Sequence, residues 1–333
     1  MRDLLPAPPC AVNPADGVPC VGSFRGSIHR DDLRSLCGGL ARRLQEKRWV
    51  YAAIATEEVL CGLAVVDLGY ALNGFAFAYH LQERRMLADE TAMALPGMGG
   101  VRRDDDHLMR ARLRLPGAWM RVDSPHGRDV TEVDLRLGAI TLRARMDGIA
   151  SPPPLTAVAP ILGGAVNVTE KRALLALTGE AVVAGKRYEL SGGVGGYDYT
   201  HGILARRTQW RWAFLLGKTA DGTRLAINLV EGFVGEPECA AWWGDDLYPL
   251  AEGRFTFSRQ HPLEPWSIAT ADGSVNLGFT PGAMHAEEKN LGLVRSSFVQ
   301  PVGTFTGTIT IPGRGTMDIR DAAGVVEDQD VTW

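Results

Sequence analysis

From about residue 49 to the C-terminus, short stretches of alternating or continuous apolar residues are closed again and again by Gly, Asn or Asp. That pattern predicts antiparallel strands joined by tight turns. The most apolar stretch, Val59 to Tyr79, has the length of a membrane span but carries Asp67 near its middle and Gly62, Gly69 and Gly74, a poor spanning helix. Its Asn73-Gly74 pair instead predicts a type I′ turn between two buried strands. Asp221-Gly222 divides Trp210-Leu216 from Thr223-Val230 in the same way, and Asp272-Gly273 divides Trp266-Thr270 from Ser274-Phe279. Further strands are expected over 134–145, 181–190, 254–258 and 303–311. Only Arg30 to Lys47, with Leu33, Leu36, Leu40 and Leu44, has helical spacing. The pattern predicts a mostly β fold with one amphipathic helix at about 30–47.

An internal echo sets the expected domain count. Trp49-Val50-Tyr51-Ala52 and Trp210-Arg211-Trp212-Ala213 lie 161 residues apart, and the same offset pairs Val66-Asp67-Leu68 with Ile227-Asn228-Leu229. Two like hairpins at nearly half the chain length suggest two related antiparallel β lobes, which a length of 333 residues also favours. The proline-rich segment from Ser151 to Pro160 falls between them as a linker. The expected boundaries are 1–155 and 156–333, with the candidate site in the second lobe.

Composition narrows the class. A net charge of −4 and the absence of a basic stripe give no reason to expect nucleic acid as a partner. Five scattered cysteines without a CxxC pair, and an N-terminus whose early acid and prolines replace an apolar leader, favour reduced thiols in the cytoplasm. Seven histidines without HxH or HxxxH spacing make a metal improbable, and the glycines at 192–196 lack the Lys-Ser/Thr of a phosphate loop. No cofactor is expected.

The chemistry concentrates between Tyr197 and Trp212. Asp198 and His201 can move protons, while Tyr197, Tyr199, Trp210 and Trp212 offer aromatic faces for an apolar or cationic species. A carboxyl in an apolar cavity has its ionised form desolvated, which raises its pKa and suits Asp198 as a general acid. In a regular strand Asp198 and Thr200 face one way and Tyr197, Tyr199 and His201 the other, so both sets reach one cavity only through a bulge or between lobes. Asn228 and Glu231 stand on the expected hairpin partner and Tyr51 on the echoing strand, while Asn167, Glu170 and Lys171 just past the linker either border the cavity between lobes or form a polar turn. For Glu231 a salt bridge to Arg206 or Arg295 is the competing role.

The segments Asp67-Leu68-Gly69-Tyr70, Asp198-Tyr199-Thr200-His201-Gly202, Trp210-Arg211-Trp212, Asn228-Leu229-Val230-Glu231-Gly232 and Gly303-Thr304-Phe305-Thr306-Gly307 together resemble the DUF2804 family. More distantly, the Asp-to-Trp-x-Trp pattern resembles lipocalin-like proteins of the carotenoid 1,2-hydratase and AttH type. That resemblance implies two β lobes enclosing an apolar cavity, with Asp198 protonating an alkene and the aromatic residues sheltering the cation. The expected activity is a cofactor-independent lyase, hydratase or isomerase acting on a terpenoid, lipid or aromatic molecule. Asp198 would be the proton donor, His201 or Glu231 the acceptor or orienter, and Tyr197, Tyr199, Trp210, Trp212, Asn228 and Tyr51 the substrate contacts. The alternative is a lipocalin-like binding protein for a hydrophobic metabolite, without chemistry. No stable membrane insertion is expected.

Overall fold

A computed structural model describes residues 5–12, 18–290, 292 and 294–333. Met1–Leu4, where the leader reading begins, lie outside the described residues. Two antiparallel sheets of fourteen and nine strands carry most of these.

With Gly22–Arg25, Leu155–Pro160 and Lys186–Glu189 paired off its main path, the first sheet runs Arg85–Ala94, Leu72–His80, Val59–Asp67, Glu46–Ala55, Val194–Ile203, Val166–Val183, Ile140–Asp147, Val130–Leu137, Ala118–Pro125, His107–Leu115 and Gly99–Asp104. Its last strand returns beside Glu46–Ala55 and Val59–Asp67, so the sheet curls nearly into a barrel. Val50, Ala52, Ile54, Met120, Val133 and Leu142 fill the interior. The second sheet runs Asp246–Pro249, Ala240–Trp243, Arg224–Gly232, Arg207–Lys218, Gly315–Thr332, Arg295–Ile311, Val275–Asn290, Trp266–Thr270 and Gly253–Thr256. It curls over the outside of the first, and Tyr51, Ala53 and Phe75 of the first sheet share one core with Trp212, Phe214 and Phe305 of the second. Successive side chains alternate across a strand, so Glu46–Ala55 serves both the barrel interior and the interlobe core.

Several expectations shift. The Asp221-Gly222 and Asp272-Gly273 turns form, with both glycines at positive φ. The Val59 to Tyr79 hairpin also forms, but it turns through Leu68 to Ala71, with Gly69 at φ 80. Asn73 and Gly74 instead lie within the second strand, opposite Val66 and Val65. Gly74 is needed for packing, since a Cβ there would lie 2.7 Å from Met120 Sδ. The single strand expected over 134–145 is two, folded at Gly138, and 181–190 is the tip of another hairpin.

The helix is Gly39–Gln45 alone. Leu33 and Leu36 join a small cluster with Val12, Ile28 and Val168, whereas Leu40 and Leu44 are exposed. Asp31 explains the difference: Tyr199 and His201 bond it inside the first lobe, fixing the segment before the helix.

The division of the chain is also different. Val166–Val183 and Val194–Ile203 belong to the first sheet, which therefore runs to Ile203, and the second begins at Arg207, not at residue 156. The proline-rich segment connects neighbours in one sheet: Leu155–Pro160 pairs with Val166–Val183, and the Pro153 carbonyl accepts a hydrogen bond from Trp242 Nε1 at 2.9 Å. The strand bearing Asp198 thus comes from the first lobe.

Candidate functional site

The register of the two sheets places the polar groups. In the first sheet Lys171, Asp198, Tyr51, Ala64 and Phe75 lie side by side across five strands, and the next row carries Thr200, Trp49, Val66 and Asn73. In the second sheet Val230, Trp212 and Glu327 form one row, Trp210, Gln329 and Phe298 the next. These rows face each other and enclose a cavity of about 150 Å³, which Phe233, Glu238, Glu287 and Trp333 complete. A cavity of that order holds one apolar ring. Trp49 stacks on Trp210 with centroids 5.8 Å apart, and Tyr51 meets Trp212 edge-on at 5.1 Å. The residues of the 161-residue echo thus meet across the interface.

Of the two ammoniums and four carboxyls that line the cavity, Lys289 pairs with Glu287, and Lys171 with Asp198 and Glu238. Lys171 Nζ lies 2.9 Å from Asp198 Oδ2 and 3.3 Å from Glu238 Oε2, and stands over the Trp212 ring. Asp198 Oδ1 accepts from Thr169 Oγ1 at 2.9 Å and from Thr200 Oγ1 at 3.4 Å. Burial opposes the charge on Lys171, but Asp198 and Glu238 hold its pKa above the ordinary lysine value. Glu327, on the opposing sheet, accepts from Trp210 Nε1 at 2.6 Å and from Gln300 Nε2 at 2.8 Å.

Burial pushes the Glu327 carboxyl up to about 7; those two hydrogen bonds resist and the charge of Asp198 adds to the rise. Glu238 is likewise pushed up to about 7 by burial, with Lys171 opposing and Asp198 reinforcing. Both gain or lose a proton near neutral pH. The cavity therefore presents an ion-paired carboxylate on one wall and a protonatable acid on the other. Among the described residues, no group of three His, Cys, Asp or Glu side chains is arranged to hold a metal ion.

The structure brings together Asp198, Tyr51, Trp210 and Trp212, with Lys171 beside them. Tyr197 and Tyr199 point into the first lobe, where Tyr197 donates to Glu170 Oε1 at 2.8 Å and Tyr199 to Asp31. His201 shares that side: Nδ1 lies 3.1 Å from Asp31 and Nε2 3.1 Å from Glu46, so it organises the first lobe, away from Asp198. No bulge brings the two faces of this strand together there, because its pairing with Glu46–Ala55 is unbroken.

Glu231 faces away from the cavity, accepting from Phe255 N at 3.2 Å with Arg211 at 3.9 Å, in place of either arginine expected. Asn228 stands behind the wall, accepting from Trp212 Nε1 at 2.7 Å and donating to the Glu238 carbonyl at 2.7 Å. Glu170 turns to Arg103, while Asn167 donates to Glu238. Glu238 and Glu327 were not singled out from the sequence; the available signal was a lone acid, Glu327, on the inward face of Val325, Val331 and their neighbours.

Fold and site together define a two-lobed, lipocalin-like β protein with an acid-lined aromatic cavity between its lobes. The chain belongs to the family described as domain of unknown function DUF2804, which matches residues 11–333. No curated protein sequence matches it. Among solved structures, kievitone hydratase from Nectria haematococca shares 12% identity at TM-score 0.54, covering 89% of this chain and 93% of that one. An AttH-type protein from Nitrosomonas europaea shares 12% at TM-score 0.52, covering 91% and 96%. CghA with Sch210972 shares 10% at TM-score 0.53, covering 85% and 87%. At these identities the likeness establishes the fold.

Proposed function

We propose that this protein is a cofactor-independent hydratase, lyase or isomerase acting on a hydrophobic terpenoid, lipid or aromatic molecule. The observation that carries the reading is the Asp198–Lys171 ion pair facing Glu327 across an aromatic cavity. The likeness of fold to a hydratase lends it support.

Asp198 is the carbon-side proton carrier. In the eliminating direction its carboxylate takes a proton from carbon, the carbon–hydrogen pair becomes the double bond, and Glu327 gives its proton to the departing hydroxyl, which leaves as water. Hydration is the reverse: Glu327 takes a proton from water and Asp198 protonates the alkene carbon. Lys171 and Thr169 hold the Asp198 carboxyl in place, and Trp49, Trp210 and Trp212 shelter positive charge developing on the substrate.

Native mass spectrometry of the purified protein, followed by incubation of any retained apolar molecule with fresh enzyme, supplies the test. Turnover of that molecule should fall about 100-fold or more in Asp198→Asn, the range for loss of a general acid or base. Unchanged turnover would overturn the assignment. A molecule that is bound but never converted, with Trp212→Ala weakening binding most, would make the protein a carrier.

A further inference from the structure

A second cleft opens at the other end of the interlobe seam. Along Glu46–Ala55, Trp49 and Tyr51 line the first cavity, Ala53 is packed in the shared core, and Ala55 lines the cleft. Along Arg207–Lys218 the same order runs Trp210 and Trp212, then Phe214, then Leu216 to Lys218. The core thus separates two sites. The cleft measures about 620 Å³, and Tyr79, Val194, Leu216 and Ala323 give it an apolar floor.

Its rim is basic in a chain whose net charge is −4. Arg84, Lys218, Arg224 and Arg320 stand there against two acids, Glu57 and Asp321. These cations are poorly neutralised. Arg84 donates to the Pro281 carbonyl, and Arg224 to the carbonyls of Leu174 and Ala150; such bonds orient a guanidinium without cancelling its charge. Arg320 approaches Asp318 only to 3.8 Å and is largely exposed, while Lys218 makes no ion pair among the described residues. Arg84 and Asp321 sit at φ 51 and φ 50, two of the few non-glycine residues in the left-handed region, and both on this rim. Such conformations concentrate where a fold serves a ligand.

We propose that this cleft binds an amphipathic organic anion, a medium-chain carboxylate being the simplest member. The chain would lie on the apolar floor and the carboxylate among the guanidinium and ammonium groups, which favour it over a neutral head. The occupant is separate from whatever fills the first cavity.

Calorimetric titration with decanoate and with 1-decanol tests this. Decanoate should bind at least about tenfold more tightly than the alcohol, and added salt should shrink that preference. The Lys218→Glu, Arg320→Glu double variant, altered only at exposed side chains, should abolish the preference. Trp49→Ala, which enlarges the first cavity, should leave it intact. Equal affinity for acid and alcohol, a preference that survives the double variant, or one that disappears in Trp49→Ala would each overturn the proposal.

Discussion

Lys171 is buried against Asp198 and Glu238, and the two carboxyls compete for its one positive charge. Removing an ammonium from such a site leaves its partners desolvated and mutually repulsive, which costs more than the pair contributed. Lys171→Met should therefore destabilise the protein by about 3–5 kcal/mol in denaturant titrations at neutral pH. The loss should be smaller at acid pH, where Glu238 is neutral. Glu327 gives a prediction of definite sign. Its folded pKa, about 7, lies above the ordinary glutamate value of 4.5, so between those pH values the folded state holds more protons than the unfolded. Its contribution to stability is full below about 4.5 and is lost as pH rises to 7 and beyond. Comparing Glu327→Gln with wild type over pH 4.5 to 8 isolates this group, and the variant should gain relative stability as pH rises. A constant difference would place Glu327 outside the titrating set.

At the scale of strands and turns, sequence and structure agree where a local rule decides the outcome. Asp221-Gly222 and Asp272-Gly273 form turns because their glycines supply the positive φ that the reversal needs. Strand alternation correctly separated Asp198 from Tyr199 and His201, but which face met the second lobe depended on pairing with Lys171 and Tyr51. Glu238 and Glu327 were hidden for a related reason: 89 residues separate them in sequence, and only the stacking of two sheets brings both to the cavity that Asp198 lines. The leucines at 33, 36, 40 and 44 misled because Leu33 and Leu36 serve the cluster over the first lobe while Leu40 and Leu44 face solvent. Packing also explains Gly62, which leaves room for neighbours: a Cβ there would run into the Phe77 ring and lie 2.6 Å from the Tyr51 hydroxyl. Gly62→Ala should cost about 1–3 kcal/mol by overpacking. It should also displace Tyr51, changing the quenching of the cavity tryptophans.

Across the whole molecule, polar contacts tie the lobes beside the cavity. His285 Nδ1 lies 2.6 Å from Asp89 on the other sheet, its ring stacks on Phe75, and neighbouring Glu287 accepts from Asn73 and Thr91. Burial opposes protonation of His285, but Asp89 and Glu287 outweigh it and raise its pKa to about 9. This group's stabilisation is complete below the ordinary histidine value of 6.5 and fades as pH climbs through 9. The melting-temperature gap between wild type and His285→Asn should be constant up to about pH 6.5 and narrow toward pH 9; a gap that widens would refute the cross-lobe ion pair. The same clamp holds together the two walls on which the proposed chemistry depends, Asp198 on one sheet and Glu327 on the other. That chemistry is tested most directly by incubating a small-molecule extract with the protein in D2O and comparing wild type with Asp198→Asn by mass spectrometry. The account predicts an apolar compound that gains deuterium at carbon, or gains or loses one water, with wild type but not with the variant. Equal conversion by both proteins, or none by either while an apolar ligand stays bound and unchanged, would contradict it.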